Sequence, residues 1–185
     1  MKITKDDISL VPVEKLHLKM LKDWRNDEEL MKRNRQWRKL SNVDQENWFE
    51  DLYKNKYSEN LMYVIQVRKE GILDNAEQYS IPVGVCGLCH IDYINRSAEL
   101  SIYIGEEKYK DKRVDIIAIN KLKHIAFNDM NLKNIWIEVY HTDSESFIVM
   151  KTLLHEAGFV ETGVVHNTIN RYNNFYDSYF YSCYS

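Results

Sequence analysis

The sequence predicts a mixed α/β (α+β) fold, and three observations predict it. A chain of 185 residues, 44% of them hydrophobic, is long enough for one buried core at roughly 150 residues per domain. Its apolar spacing switches repeatedly between the two-residue period of strands and the 3.6-residue period of helices. No internal repeat, low-complexity run or Pro/Gly/Ser-rich linker interrupts that pattern, so residues 1–185 are expected to form a single domain.

The elements follow in order. Ile8-Ser9-Leu10-Val11 is short and rich in β-branched residues and stops at Pro12, which suits an edge strand. From Val13 the spacing changes to Leu16, Met20, Leu21 and Trp24, a helical stripe. A second helix is expected after Asn42, with Asp44 near its start and Trp48, Phe49 and Leu52 turned inward. Leu61–Val67 and Ser80–Tyr93 read as strands paired across the polar stretch 69–78. In Ala98–Ile104, Leu100, Ile102 and Ile104 alternate with Glu99, Ser101 and Tyr103, giving one apolar face and one mixed face. A long helix runs through Ile116, Ile119, Leu122, Ile125, Ala126 and Met130, and Asn134–Tyr140 is a further strand. A helix from about Asp143 to Glu156 ends at Gly158-Phe159, as a glycine C-cap should. The segment from Phe175 to Tyr184 is the last expected strand.

Composition excludes several classes. With 25 Lys+Arg against 28 Asp+Glu and a net charge of -3, no global field draws the chain to nucleic acid or an anionic membrane. No apolar run reaches the ~18–20 residues needed to span a bilayer, and the N-terminal stretch lacks a secretory apolar segment. Three cysteines, Cys86, Cys89 and Cys183, are too few and too odd in number for a disulfide framework. A cytoplasmic protein is expected, with no nucleic-acid or membrane partner.

Cys86-Gly87-Leu88-Cys89 has the C-x-x-C spacing, but residues three apart on a strand point to opposite faces, so the thiols should not share a metal. No metal site is expected. The run 31–40 is basic, with Lys32, Arg33, Arg35, Arg38 and Lys39 around Trp37. It reads either as a solvated helix end or as an anion-recognition loop stacking Trp37 on a ring.

From Ile81 onward the blocks IPVGVCGLCHIDYINRSAELSIYIGEEKYKDKR, the long helix, IWIEVY and a helix ending in AGF together resemble the GNAT (Gcn5-related N-acetyltransferase) superfamily. Trp24-Arg25-Asn26 and Tyr176-Asp177 resemble in particular its ribosomal-protein alanine and nucleotide-sugar acetyltransferase branch. The resemblance implies a mixed, mostly antiparallel sheet in which two central parallel strands, Ala98–Ile104 and Asn134–Tyr140, splay apart to admit acetyl-CoA. It implies that the backbone at Ile102, Tyr103 and Ile104 pairs with the pantetheine arm, as an added strand does. The pyrophosphate is then expected on the loop Lys110-Asp111-Lys112-Arg113-Val114-Asp115 that opens the next helix, with His141 and Thr142 as further cofactor contacts. Glu99 corresponds to the family's base for the acceptor amine, because an ammonium has no lone pair until it loses a proton. A glutamate on the solvated face of a strand is the plainer reading of the same residue. Trp24, Arg25 and Trp37 fall on the acceptor side.

Two positions depart from the family pattern. Arg113 and Asp115 stand where Arg/Gln-x-x-Gly-x-Gly/Ala carries small residues, so side chains obstruct the phosphate and Asp111 and Asp115 repel it. Loss of two charge-assisted hydrogen bonds, each worth about 1.5–3 kcal/mol, would weaken cofactor binding by on the order of 10²–10⁴-fold. Lys110, Lys112 and Arg113 offer side-chain cations as substitutes, whereas Asp111 and Asp115 can instead cap their own helix. Leu154 occupies the place of the tyrosine that commonly protonates the departing thiolate. Two functions therefore stand. One is an N-acetyltransferase acting on a protein N-terminus, an amino sugar or a small amine; the other is a binding or regulatory module of the same fold with impaired acetyl-CoA binding. A monomer or homodimer is expected.

Overall fold

The computed structural model describes residues 3–36, 38–54, 58–69, 79–110, 113–171 and 173–185. Trp37, Asp111, Lys112 and most of the stretch expected to link the first two long strands lie outside the described residues.

Strand β1 (Ile8–Pro12) lies at one edge of a seven-stranded sheet, paired only with β2 (Leu61–Lys69). Proline, which has no N–H to give a ladder, ends it there. β2 runs antiparallel to β3 (Tyr79–Asp92), and β3 antiparallel to β4 (Ser97–Ile104). β5 (Asn134–Tyr140) is parallel to β4; β7 (Asn174–Tyr184) and the outer β6 (Val160–Arg171) complete the order β1-β2-β3-β4-β5-β7-β6.

Apolar alternation decides which face each helix covers. On one face, Leu21 of α1 (Leu18–Arg25) and Leu52 of α3 (Asn42–Tyr53) pack on Val13, Met62, Val64 and Val85. On the other, α4 (Val114–His124) and α5 (Ser144–Glu156) bury Val114, Ile119, Leu122 and Leu154 against Ile65, Cys86, Leu88, Ala98, Leu100 and Ile135. Cys86 and Cys89 join the two opposite clusters, as strand alternation requires. Start signals are visible locally: Ser41 and Asp44 close a capping box on α3, and Asp143 accepts a hydrogen bond from the Ser146 amide at α5.

The expected elements recur with four differences. The first helix begins at Leu18 rather than Val13, because Val13 is buried in the core and residues 15–17 form a 3₁₀ turn closed by the Glu14 amide on His17 Nδ1. A short helix α2 (Glu28–Arg33) follows, with Asp27 as its N-cap. The long helix changes to a π turn over Ile125–Asp129. β6 was not expected; it is exposed along almost its whole length, so the alternation that marks half-buried strands is missing.

One feature of the sheet positions everything else. β4 and β5 share only the pairs Ser97–Asn134, Ala98–Ile135 and Glu99–Trp136. Beyond these the strands part and leave a wedge, as the resemblance implies.

Candidate active site

Because side chains alternate, β4 sends Ala98, Leu100 and Ile104 into the core beneath α4, while Glu99 and Tyr103 face the α1 side. On β5 the same alternation gives Ile135 and Ile137 to the core and leaves Trp136, Glu138 and Tyr140 opposite. Two carboxylates thus come from the two splayed strands. The Glu99 side chain is 12% exposed and that of Glu138 13%.

Arg35, from the loop after α2, bridges them. Its Nη1 and Nη2 reach the two Glu99 oxygens at 2.9 and 2.8 Å, and Nη2 reaches Glu138 Oε2 at 2.7 Å. Its Nε donates to Tyr140 Oη at 3.0 Å, and the Tyr140 hydroxyl donates to Glu138 at 3.2 Å. Burial opposes the Arg35 charge, but the hydrogen bonds it donates to Glu138 and Glu99 outweigh that and raise the guanidinium pKa. Burial, and then the Glu138 charge, push the Tyr140 phenol up to about 12. His90 sits in the left-handed region (φ 50°) where the β3–β4 register is interrupted, and its Nε2 lies 3.6 Å from Glu99.

Sequence reasoning singled out Glu99 and missed its partners. Glu138 carries a legible signal, since it is the charged member of the mixed face of NIWIEVY. Arg35 carries none, being one of several cations in a basic run. Of the basic run, Arg35 grips two carboxylates and Arg38 pairs with Asp44 at 2.7 Å, so these two guanidinium groups are matched within the chain.

On the cofactor side, Ile102, Tyr103 and Ile104 pair with Cys86, Val85 and Gly84 of β3, while β5 has already diverged on their other flank. That flank is open backbone on which an extended arm can pair. At the start of α4, Arg113 adopts φ 59°, ψ 26°, the left-handed conformation that glycine adopts without strain. Its guanidinium pairs with Glu156 at 2.6 Å, and Lys110 pairs with Glu107. Two of the three cations expected to hold a pyrophosphate are thus already matched within the chain. Val114 is buried core. Asp115 accepts the Ile116 amide at 2.8 Å, and burial raises its carboxyl above the ordinary value. The expectation that Asp115 caps its helix is not met: Arg113 holds the N-cap position, no side chain caps it, and Asp115 reaches only the adjacent amide. At the end of β5, His141 stacks on Phe147 at 4.4 Å, and the Thr142 hydroxyl is shielded from solvent without a hydrogen-bond partner.

The acceptor-side expectations divide. Trp24 packs edge-on to Tyr103 and directly over Gly105, a place in the α1–sheet cluster. Arg25 lies 6.0 Å from the Tyr103 ring and donates to Gln36 at 3.1 Å. Leu154 is fully buried and has no proton to give. Among the described residues, no three His, Cys, Asp or Glu side chains converge to hold a metal ion, and no helix is long and apolar enough to cross a membrane.

A wedge between two parallel strands, with an acidic cluster at its closed end, defines an acetyltransferase architecture. The Acetyltransferase (GNAT) domain model matches residues 7–153, and the chain belongs to that family. It is 30% identical over 123 residues to the spermidine N(1)-acetyltransferase of Vibrio cholerae serotype O1. That match takes in 63% of this chain and 65% of the relative, so the chain spans just under two thirds of the curated relative's length. The crystal structure of spermidine N-acetyltransferase from Vibrio cholerae with CoA and spermine superposes with a TM-score of 0.79 at 20% identity, covering 97% of this chain and 96% of that one. A dodecameric form of the same enzyme gives 0.76 at 19% identity, over 97% and 94%. At these identities the structural likeness establishes the fold.

Proposed function

We propose that the protein is an acetyl-CoA-dependent N-acetyltransferase whose acceptor is a small cationic amine. The single observation carrying this reading is the pair of nearly buried carboxylates, Glu99 and Glu138, facing the acceptor side of the wedge. With one Arg35 between them the cluster keeps a net negative charge, which attracts a cationic amine and repels a nucleotide-linked sugar. The names of the relatives point to the same class, spermidine and spermine among them.

Acetyl-CoA would supply the thioester: as the acceptor nitrogen bonds the acetyl carbon, the C–S bond would break and the sulfur leave as CoA thiolate, to be protonated by water because Leu154 has no proton to give. Glu99 takes the proton that an ammonium must lose before it can attack. Glu138 stands beside the acceptor, and Tyr140, whose raised pKa leaves the phenol protonated at neutral pH, donates a hydrogen bond to that carboxylate. Open backbone at 102–104 and the unpartnered Thr142 hydroxyl suit the pantetheine arm. Arg113 and Asp115 fit a pyrophosphate poorly, so a high acetyl-CoA KM is expected.

Thiol release from acetyl-CoA in the presence of spermidine, a peptide with a free N-terminus, or a nucleotide-linked amino sugar tests the reading. Turnover with spermidine is expected, and Glu99→Gln should lower kcat by roughly 10²–10⁴-fold. Turnover confined to the peptide or the sugar would overturn it. The dodecameric relative also supports an assembly larger than the monomer or homodimer read from the sequence, which light scattering would measure.

A further inference from the structure

Glu99 cannot serve as a base while Arg35 holds both its oxygens, because a bidentate guanidinium occupies the atoms that would take the proton. Arg35 comes from a loop, not from the sheet, and its side chain is 49% exposed, four times as open as either carboxylate it grips. Its loop is anchored by its neighbours: Asn34 donates to the Leu30 carbonyl at 2.6 Å, Arg171 of β6 donates to the Asn34 carbonyl, and Gln36 donates to Asn26 at 3.3 Å. The backbone can therefore stay in place while the long side chain swings. One atom, Nη2, touches Glu99 at 2.8 Å and Glu138 at 2.7 Å, so a primary ammonium set at that point would meet both carboxylates at ordinary ion-pair distances.

We infer that Arg35 is an internal surrogate for the acceptor: its Nη2 marks the seat of the substrate's primary ammonium, and the amine must displace the guanidinium from Glu99 and Glu138 before reaction. This rests on the amine-acetyltransferase reading and adds the seat, the competitor and a preference. Once Arg35 leaves, two carboxylates face one ammonium, so a second positive group on the acceptor is favoured. The substrate class is accordingly short amines with two or more cationic groups. Arg35 sets the concentration at which they enter, excluding weakly cationic or neutral molecules that cannot exchange with a guanidinium. It acts on affinity and leaves the chemical step to Glu99.

The test compares the full-length protein with Arg35→Gln. Thermal melting is recorded with putrescine, n-butylamine and the uncharged isostere butanediol, and kinetic constants are measured with putrescine and acetyl-CoA. Putrescine should raise the melting temperature of R35Q by several degrees and that of the wild type by less; n-butylamine should act more weakly and butanediol not at all. The KM for putrescine should fall about tenfold or more in R35Q, with kcat and the acetyl-CoA KM nearly unchanged. Equal putrescine shifts in both proteins, or a fall in kcat with an unchanged putrescine KM, would overturn the inference, the latter making Arg35 a positioning residue for Glu99. If R35Q does not fold, Arg35→Lys decides: it keeps one charge without the two-pronged grip, so its putrescine KM should lie below the wild-type value, and a higher KM counts against the surrogate. Should the wild type acetylate no amine, the functional reading falls while the melting experiment still decides whether amines replace Arg35.

Discussion

Arg113 shows how one residue can carry a family's geometry without its chemistry. The left-handed turn is present at φ 59°, at a cost of about 1–2 kcal/mol for a side-chain-bearing residue. Its ion pair with Glu156 joins two well-exposed side chains, and such pairs return about 0–1 kcal/mol. Arg113→Gly should therefore leave stability unchanged or raise it by up to about 1 kcal/mol in urea denaturation. Combined with Asp115→Gly, it should tighten acetyl-CoA binding by about tenfold or more in calorimetric titration, since backbone amides are freed and a repelling charge removed. Asp115 has its own pH signature. Burial raises its folded-state pKa, so its contribution to stability is present below the unfolded carboxylate range and lost as pH rises through the folded value. Asp115→Asn should thus melt higher than wild type at neutral pH, and the gap should close as the solution is acidified. Both substitutions were legible in the sequence because a missing glycine can be seen there. The Arg35–Glu99–Glu138 cluster was not, because its members lie 64 and 103 positions apart and only the fold brings them together.

At the scale of elements, the approach of α1 to the end of β4 is the tightest joint near the site. A Cβ on Gly105 would lie 2.0 Å from Trp24 Cδ2. Gly105→Ala should cost about 1–3 kcal/mol and raise the acetyl-CoA KM more than Gly163→Ala, where no atom lies within 4 Å; chemical denaturation and steady-state kinetics of the two variants make the comparison. On the opposite face, Leu154→Ala should lose about 2–5 kcal/mol as a core cavity. Elements with one buried face and clear caps, such as α3, α5 and β4, were readable from spacing. α2 has a legible start in Asp27 and its acidic first turn, but at 6 residues it is too short to display a helical period. β6 is exposed on both faces and offered no period to read.

Across the whole molecule, the splayed strands were anticipated from separated sequence blocks, and the register makes them concrete. Acetyl-CoA should slow amide exchange at 102–104 of β4 and near Thr142, with little change in β2 and β3, whose ladder is already complete; equal slowing throughout the sheet would count against an occupied wedge. The three shared positions between β4 and β5 have a mechanical consequence. Among the described residues they are the only ladder joining a four-stranded half, β1 to β4, to a three-stranded half, β5 to β7. The seam is the spine at one end of an open book: a substitution that extended pairing past Glu99 and Trp136 would close the flank on which an extended arm can lie, and one that shortened it would widen the opening for both binding partners at once.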